Sequence, residues 1–181
     1  PFEPVVYPSP GAIMGGLKSR EWDVTFFGPN PEREAVLDFT PAFLLIEHGY
    51  LVPAGSSLTT IDEVDRPGIR IGAPQGGSVN GFLARTVKHA TVIASPSVPA
   101  GADLLKSGRV DVFAANKATL FELSDQLPGS RVLEGRIGFD EVAIALPKDR
   151  QAGMAYLRTY VEHVRSEGLV KAATQRAGLR G

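Results

Sequence analysis

Apolar residues in this chain gather in short continuous runs, divided by glycine, proline and charged clusters. "VTFFG" (24–28), "IRIGA" (69–73), "TVIA" (91–94), "VFAAN" (112–116) and "VAIAL" (142–146) are such runs. A short apolar run flanked by turn residues predicts a strand covered on both faces, as in a parallel sheet. "PFEPVVYP", "HGYLVPAG" and the brief "RVLEG" predict further strands. Between them the apolar period lengthens to that of a helix. Residues 11–20 carry Ile13, Met14 and Leu17, and the helix opened by "PQGGS" carries Val79, Phe82, Leu83 and Val87 on one face. Helices are also predicted over 99–107 and 117–123, and a final helix runs to Gly178. A long helix capped by Asp149 has Met154, Leu157, Tyr160, Val161 and Val164 as its core stripe. "TIDEVDRPG" holds a capping box, Thr60 to Glu63, and stops at Pro67-Gly68.

One phrase occurs twice. "LKSREWDVTFFG" (17–28) returns as "LKSGRVDVFAAN" (105–116). In each copy Leu-Lys-Ser ends a helix, a short turn follows at Arg20-Glu21 or Gly108, and Asp23 or Asp111 opens a buried strand. Helix, turn and strand in that order are half of a βαβ unit. Ligands of open α/β sheets sit beyond the carboxyl ends of strands, which draws attention to Gly28 and Asn116. Two sheets with facing strand ends would put these residues on opposite walls of a cleft.

Composition narrows the field. The chain has 181 residues, enough for one domain or two small lobes, with 43% apolar and 22% charged residues. Lys and Arg number 19 against 20 Asp and Glu, so no basic field invites nucleic acid or an anionic membrane. With no cysteine there is no disulfide framework, thiolate nucleophile or thiolate metal site. His48, His89 and His163 are scattered without ligand spacing. No catalytic set, metal site or cofactor is expected. No apolar run approaches the length of a transmembrane helix, and no signal peptide is present. The start at Pro1-Phe2 reads as a beginning inside a structure.

Three segments carry a resemblance. "PEREAVLDFTPAF" (31–43) resembles the "ER…DFS.PY" signature of the type II periplasmic solute-binding proteins, the amino-acid-binding (family 3) receptors of ABC transporters. "IRIGAPQGGSVNGFL" (69–83) resembles that family's Gly-Thr/Ser loop and helix, and "LLKSGRVDVFAAN" (104–116) its "GrvDa…D" segment. The resemblance covers about residues 3 to 178. It implies a two-lobed α/β fold of the periplasmic-binding-protein-like II kind, with lobes joined by two crossing strands, "HGYLVPA" and "DEVAIALP". Residues 1–52 would form the first part of lobe 1, 53–140 lobe 2, and 141–181 the second crossing strand and the return to lobe 1. The family's first strand and helix are missing, so lobe 1 is expected to be incomplete at its N-terminal side, with self-association as one way to cover the gap.

Family and chemistry then meet at particular residues. The resemblance implies that Arg33 grips a ligand carboxylate, and a guanidinium fork suits that task through two charge-assisted hydrogen bonds. A surface pair with Glu32 or Glu34 is the alternative. Asn30 matches a Thr or Ser that helps hold the same carboxylate, yet Asn before Pro31 is also a good helix cap. Gly28 offers backbone groups or a tight turn. Phe26 and Phe27 point to opposite sides of one strand, and both are expected in the core. Gly76 and Gly77 allow close backbone approach, and Ser78 stands at a helix N-terminus, where free N–H groups favour a carboxylate. An ordinary turn with a serine cap is the alternative there. Arg33 and the Gly77-Ser78 turn are expected to clamp one carboxylate from the two lobes.

Asn116 departs from the family, which usually has Asp at this position to pair with the ligand's ammonium. Lys117, Asp140 and Glu141 are the nearby charges, with surface roles as their alternatives. The expected function is a periplasmic solute receptor, not an enzyme, passing a small carboxylate or amino-acid-like ligand to an ABC transporter permease. The alternatives are a cyclohexadienyl-dehydratase-like enzyme on the same fold and the sensing lobe of a larger receptor.

Overall fold

A computed structural model of the chain describes residues 3–7, 10–148, 150–178 and 180. In chain order the elements begin α1 (Pro10–Ser19), β1 (Thr25–Phe27), α2 (Pro31–Glu34), β2 (Leu37–Phe39) and β3 (Leu44–Val52). After a 3-10 turn at Ile61–Glu63 come β4 (Arg70–Pro74), α3 (Ser78–Thr86), β5 (Thr91–Ser95), α4 (Val98–Lys106) and β6 (Val112–Asn116). The rest are α5 (Lys117–Gln126), β7 (Arg131–Val132), β8 (Gly138–Pro147), α6 (Gln151–Ser166) and α7 (Leu169–Arg176). They fall into two compact units, one of residues 1–44 with 141–172, the other of 45–140 with 173–181. Both β3 and β8 pass from one unit into the other.

In the first unit β8 takes a short antiparallel strand on each side. Phe26 of β1 stands opposite Ile144, and Asp38 of β2 stands opposite Leu146. Trp22, Phe27, Leu37 and Ala145 form the core, with Ile13, Met14 and Leu17 of α1 packed against them. The indole N–H of Trp22 donates to the Ile13 carbonyl at 2.8 Å and ties α1 to the turn that follows it. Beside β1, which no strand among the described residues covers on its outer edge, runs a groove of about 750 Å³ lined by Val5, Tyr7, Trp22, Val24 and Phe26 among others.

The second unit carries β7-β3-β6-β4-β5, with β3 antiparallel to β6 and the β6-β4-β5 portion parallel. Helices pack on both faces, so its strands are apolar on both sides. Along β6, Val112 and Ala114 face the core that contains Val79 and Leu83 of α3. Phe113 and Ala115 face the core that contains Ala102 and Leu105 of α4 and Leu120 and Leu123 of α5.

The repeated phrase is one backbone motif built twice. Arg20 has φ 57° and Gly108 φ 67°, so both turns use a left-handed residue at the same place. Trp22 and Val110 are both buried. Both aspartates pair with an arginine: Asp23 with Arg150, and Asp111 with Arg70. Arg20 is the one non-glycine with positive φ among the described residues, and a left-handed residue with a Cβ is strained. Arg20→Gly is therefore expected to raise stability by up to about 1 kcal/mol, despite glycine's larger unfolded-state entropy. A urea melt with a lower midpoint than wild type would refute this.

Asp111 does more than open a strand. Its carboxylate accepts the Arg70 backbone N–H at 2.8 Å and both Nε and Nη2 of the Arg70 guanidinium, at 3.0 and 2.7 Å. The Arg70 side chain, against the opposing effect of burial, holds the Asp111 carboxyl below its usual range. A depressed carboxyl stabilises the fold above its unfolded value and loses that contribution as pH falls through the folded value. Wild type and Asp111→Asn are thus expected to differ in melting temperature at neutral pH, with the difference shrinking as pH falls below about 4, the unfolded carboxyl value, toward the lower folded one. A difference that does not shrink at all between neutral pH and the acid limit of folding would contradict the assignment.

Several expectations need correction. Residues 3–7 form no strand: Pro4 lacks a donor, no ladder takes them up, and Val6 is 90% exposed. Phe27 is core, but Phe26 is 55% exposed on the outer face of β1, its ring set edge-on to that of Phe43. Tyr160 lies off the buried stripe of α6, which consists of Met154, Val161 and Val164. Asp149, the expected cap of that helix, lies outside the described residues. Glu63 accepts the Thr60 N–H as a capping box requires, yet the helix there is a single 3-10 turn. Strand β2 went unpredicted, helix α2 is the one that the alternative reading of Asn30 as a cap implied, and β3 and β8 begin earlier than their apolar runs. The second unit also takes in 45–52, through the pairing of β3 with β6 and β7, and the end 173–181, where Arg180 pairs with Asp125.

Candidate functional site

In the first unit the candidate residues follow β1. Gly28 presses against the neighbouring strand: a Cβ there would lie 2.8 Å from the Glu141 carbonyl oxygen, so only glycine fits. The Gly28 carbonyl accepts from Arg33 Nη1 at 2.8 Å, and the Arg33 guanidinium lies 4.1 Å over the Phe27 ring. Asn30 is extended (φ −155°) and caps α2, its Oδ1 accepting the Arg33 backbone N–H at 2.8 Å, with Pro31 in the first turn. Arg33 is thus held by a carbonyl and an aromatic face. Among the described residues no carboxylate pairs with it, Glu32 and Glu34 included. The half-buried fork keeps donors free for an anion.

In the second unit the candidates stand after β4 and β6. Gly76 has φ 72°, a conformation that favours glycine, and Gly77 is the extended residue before α3. The turn is exposed, and Ser78 opens α3. Ser78 Oγ donates to Asp140 Oδ2 at 2.5 Å. The same oxygen lies 3.0 Å from His48 Nε2. His48 is 1% exposed, stands edge-on to Phe82, and neither ring nitrogen has the alignment of a hydrogen bond. Asn116, directly across the ladder from His48, caps α5: its Oδ1 accepts the Thr119 N–H at 2.9 Å.

Lys117 is not a solvated surface residue. Its ammonium binds Glu47 at 2.7 Å, its side chain is 15% exposed, and the other Glu47 oxygen takes Arg136 at 3.2 Å. The Lys117 hydrogen bond, outweighing burial, holds the Glu47 carboxyl below its usual range, with Arg136 adding to the effect. Glu47 and His48 escaped sequence reasoning. Both sit in the part of β3 just before or at the start of the apolar run "GYLV", and only their strand partners reveal them.

Among the described residues no group of three or more His, Cys, Asp or Glu is arranged to hold a metal ion. None of the helices described is long and apolar enough to cross a membrane.

No protein-family model matches the sequence, and no curated protein matches it. Solved structures do. A putative binding component of an ABC transporter from Wolinella succinogenes, complexed with lysine, is 16% identical, with TM-score 0.77 over 94% of this chain and 76% of that one. The GluR0 ligand-binding core in complex with L-glutamate is 16% identical, with TM-score 0.76 over 95% of this chain and 79% of that one. The amino acid ABC transporter substrate-binding protein AbpA from Streptococcus pneumoniae, bound to L-arginine, is 17% identical, with TM-score 0.67 over 91% and 71%. Identities this low speak for the fold, and the fold of this chain is that of the two-lobed, type II periplasmic solute-binding proteins.

Proposed function

We propose that this protein is the solute-binding component of an ABC transporter, acting in the periplasm and passing a small carboxylate or amino-acid-like solute to a membrane permease. The observation that carries this reading is Arg33, whose guanidinium is held by the Gly28 carbonyl and the Phe27 ring while no carboxylate among the described residues pairs with it. A planar fork kept in place with free donors is suited to a carboxylate. Gly28 anchors that fork, Asn30 caps the helix that carries it, and Gly76, Gly77, Ser78 and Asn116 are proposed to line the site in the second unit. Proteins of this fold crystallised with lysine, L-glutamate and L-arginine support an amino-acid-like solute. Binding without turnover accords with Ser78, whose hydroxyl donates to a carboxylate and not to His48, so the two form no nucleophile–base pair.

The test is a thermal-shift screen of the common amino acids and simple carboxylic acids, followed by calorimetry. At least one compound is expected to bind in the micromolar range or better. No binding by any compound at millimolar concentration would sink the proposal. The likeness to the GluR0 ligand-binding core favours a second reading, a sensing domain of a larger receptor. The full gene distinguishes the two: a membrane span in the same polypeptide, continuing into a channel or signalling domain, would support the sensor.

A further inference from the structure

Asp140 is a carboxylate fixed on one side and open on the other. Ser78 Oγ donates to its Oδ2, and His48 Nε2 approaches the same oxygen. Three elements supply the parts: β3 brings His48, the first residue of α3 is Ser78, and β8 brings Asp140. The side chain is still 39% exposed, and Oδ1 has no hydrogen bond among the described residues. His48 beneath it is buried, with two ring nitrogens that make no hydrogen bond among the described residues, and its Nε2 stands 3.0 Å from this carboxylate.

Glu47 is matched by Lys117 and Arg136. No lysine or arginine among the described residues pairs with Asp140. Asn116, where the resemblance calls for an acid, is neutral and spends its oxygen on capping α5. The first turn of α3 has no acidic residue and Gly77 gives it no side-chain cap, so Asp140 is the anion seated at that positive end. A ligand carboxylate arriving at the same place would meet a negative charge already there. A cationic nitrogen would meet an unmatched, positioned partner.

We infer that Asp140 is the residue through which the second unit selects ligands with a cationic nitrogen, of the ammonium or guanidinium class, and that the N-terminus of α3 seats this carboxylate instead of the ligand's. The inference rests on the solute-binding reading above. Ser78 is a positioning residue through its hydroxyl bond to Oδ2, and His48 packs against the same oxygen from beneath. The selectivity sits on β8 and not at the end of β6.

The experiment is calorimetry on the full chain with L-lysine, L-arginine, L-glutamate, norleucine, 6-aminohexanoate and hexanoate, a set in which acids with and without each amine can be compared. Wild type is expected to bind an amine-bearing acid at least tenfold more tightly than its amine-free counterpart. Asp140→Asn, nearly isosteric and able to keep the Ser78 contact, is expected to lose about tenfold to a hundredfold toward the amine-bearing acid and to hold or improve the amine-free one. Ser78→Ala is expected to lose part of the same preference and Ser78→Thr to restore it, a rescue that a purely structural role would not show as a change in ligand choice. Circular dichroism melts of each variant establish that it is folded. If wild type binds and Asp140→Asn retains the full amine preference, or weakens both classes equally, the inference is overturned and solute binding stands. If wild type binds none of the six, the inference is overturned, and the solute-binding reading stands or falls by the wider screen.

Discussion

Arg33→Ala is expected to weaken binding of a carboxylate solute by about 2–5 kcal/mol, roughly thirtyfold to several thousandfold, while the protein stays folded. The guanidinium is preorganised: Nη1 is anchored on the Gly28 carbonyl at 2.8 Å, and the plane rests on Phe27. Little rotamer entropy remains to be lost on binding, so most of the interaction appears as affinity. Losing the cation–π contact costs about 0.5–1 kcal/mol of stability at a partly exposed site. The Asn30 cap of α2 uses only the Arg33 backbone and survives the substitution. Arg33→Lys keeps the charge but not the fork, and is expected to fall between wild type and alanine. Calorimetry with whichever acid binds best decides the matter. Unchanged affinity in Arg33→Ala would remove Arg33 from the binding role.

Phe113→Ala is expected to destabilise the protein by about 3–5 kcal/mol, the usual range for emptying a buried aromatic position. Phe113 is fully buried at the centre of the second unit, and its ring lies on Gly101 of α4. A Cβ at Gly101 would sit 2.0 Å from Phe113 Cε2, closer than any contact permits. The aromatic ring and the missing side chain are two halves of one packing arrangement. Gly101→Ala alone is therefore expected to cost about 1–3 kcal/mol through overpacking. In the Phe113→Ala background it is expected to cost much less, because the ring it would strike is gone. Urea melts of the four proteins form a double-mutant cycle. Additive losses would show that the two positions do not share their space.

Much of this was legible in the chain because it depends on neighbours in sequence. The second copy of the repeated phrase was read correctly because helix end, left-handed turn and buried strand are local events: Gly108 supplies the positive φ, and "VFAA" is apolar on both faces. Arg20 shows the limit of that reading. Its place in the phrase marks the turn, but nothing in its chemistry announces φ 57°. Phe26 and Phe27 mark another limit. Alternation put them on opposite sides, and only the coverage of β1 decides which side is buried.

Ser78 and Asp140 are 62 residues apart, and no periodicity links them. Sequence alone determined the α/β class, the strands buried on two faces and the turn glycines, since each follows from backbone preference or hydrophobic spacing; it offered Asn30 as a helix cap, while Arg33 was singled out by the family resemblance. Tertiary structure decided that Arg33 has no carboxylate partner among the described residues, that Lys117 belongs to Glu47, and that His48, Ser78 and Asp140 meet. Those facts depend on which strands pair and in what register, and that is set by the packing of whole elements, which no local window of the chain contains.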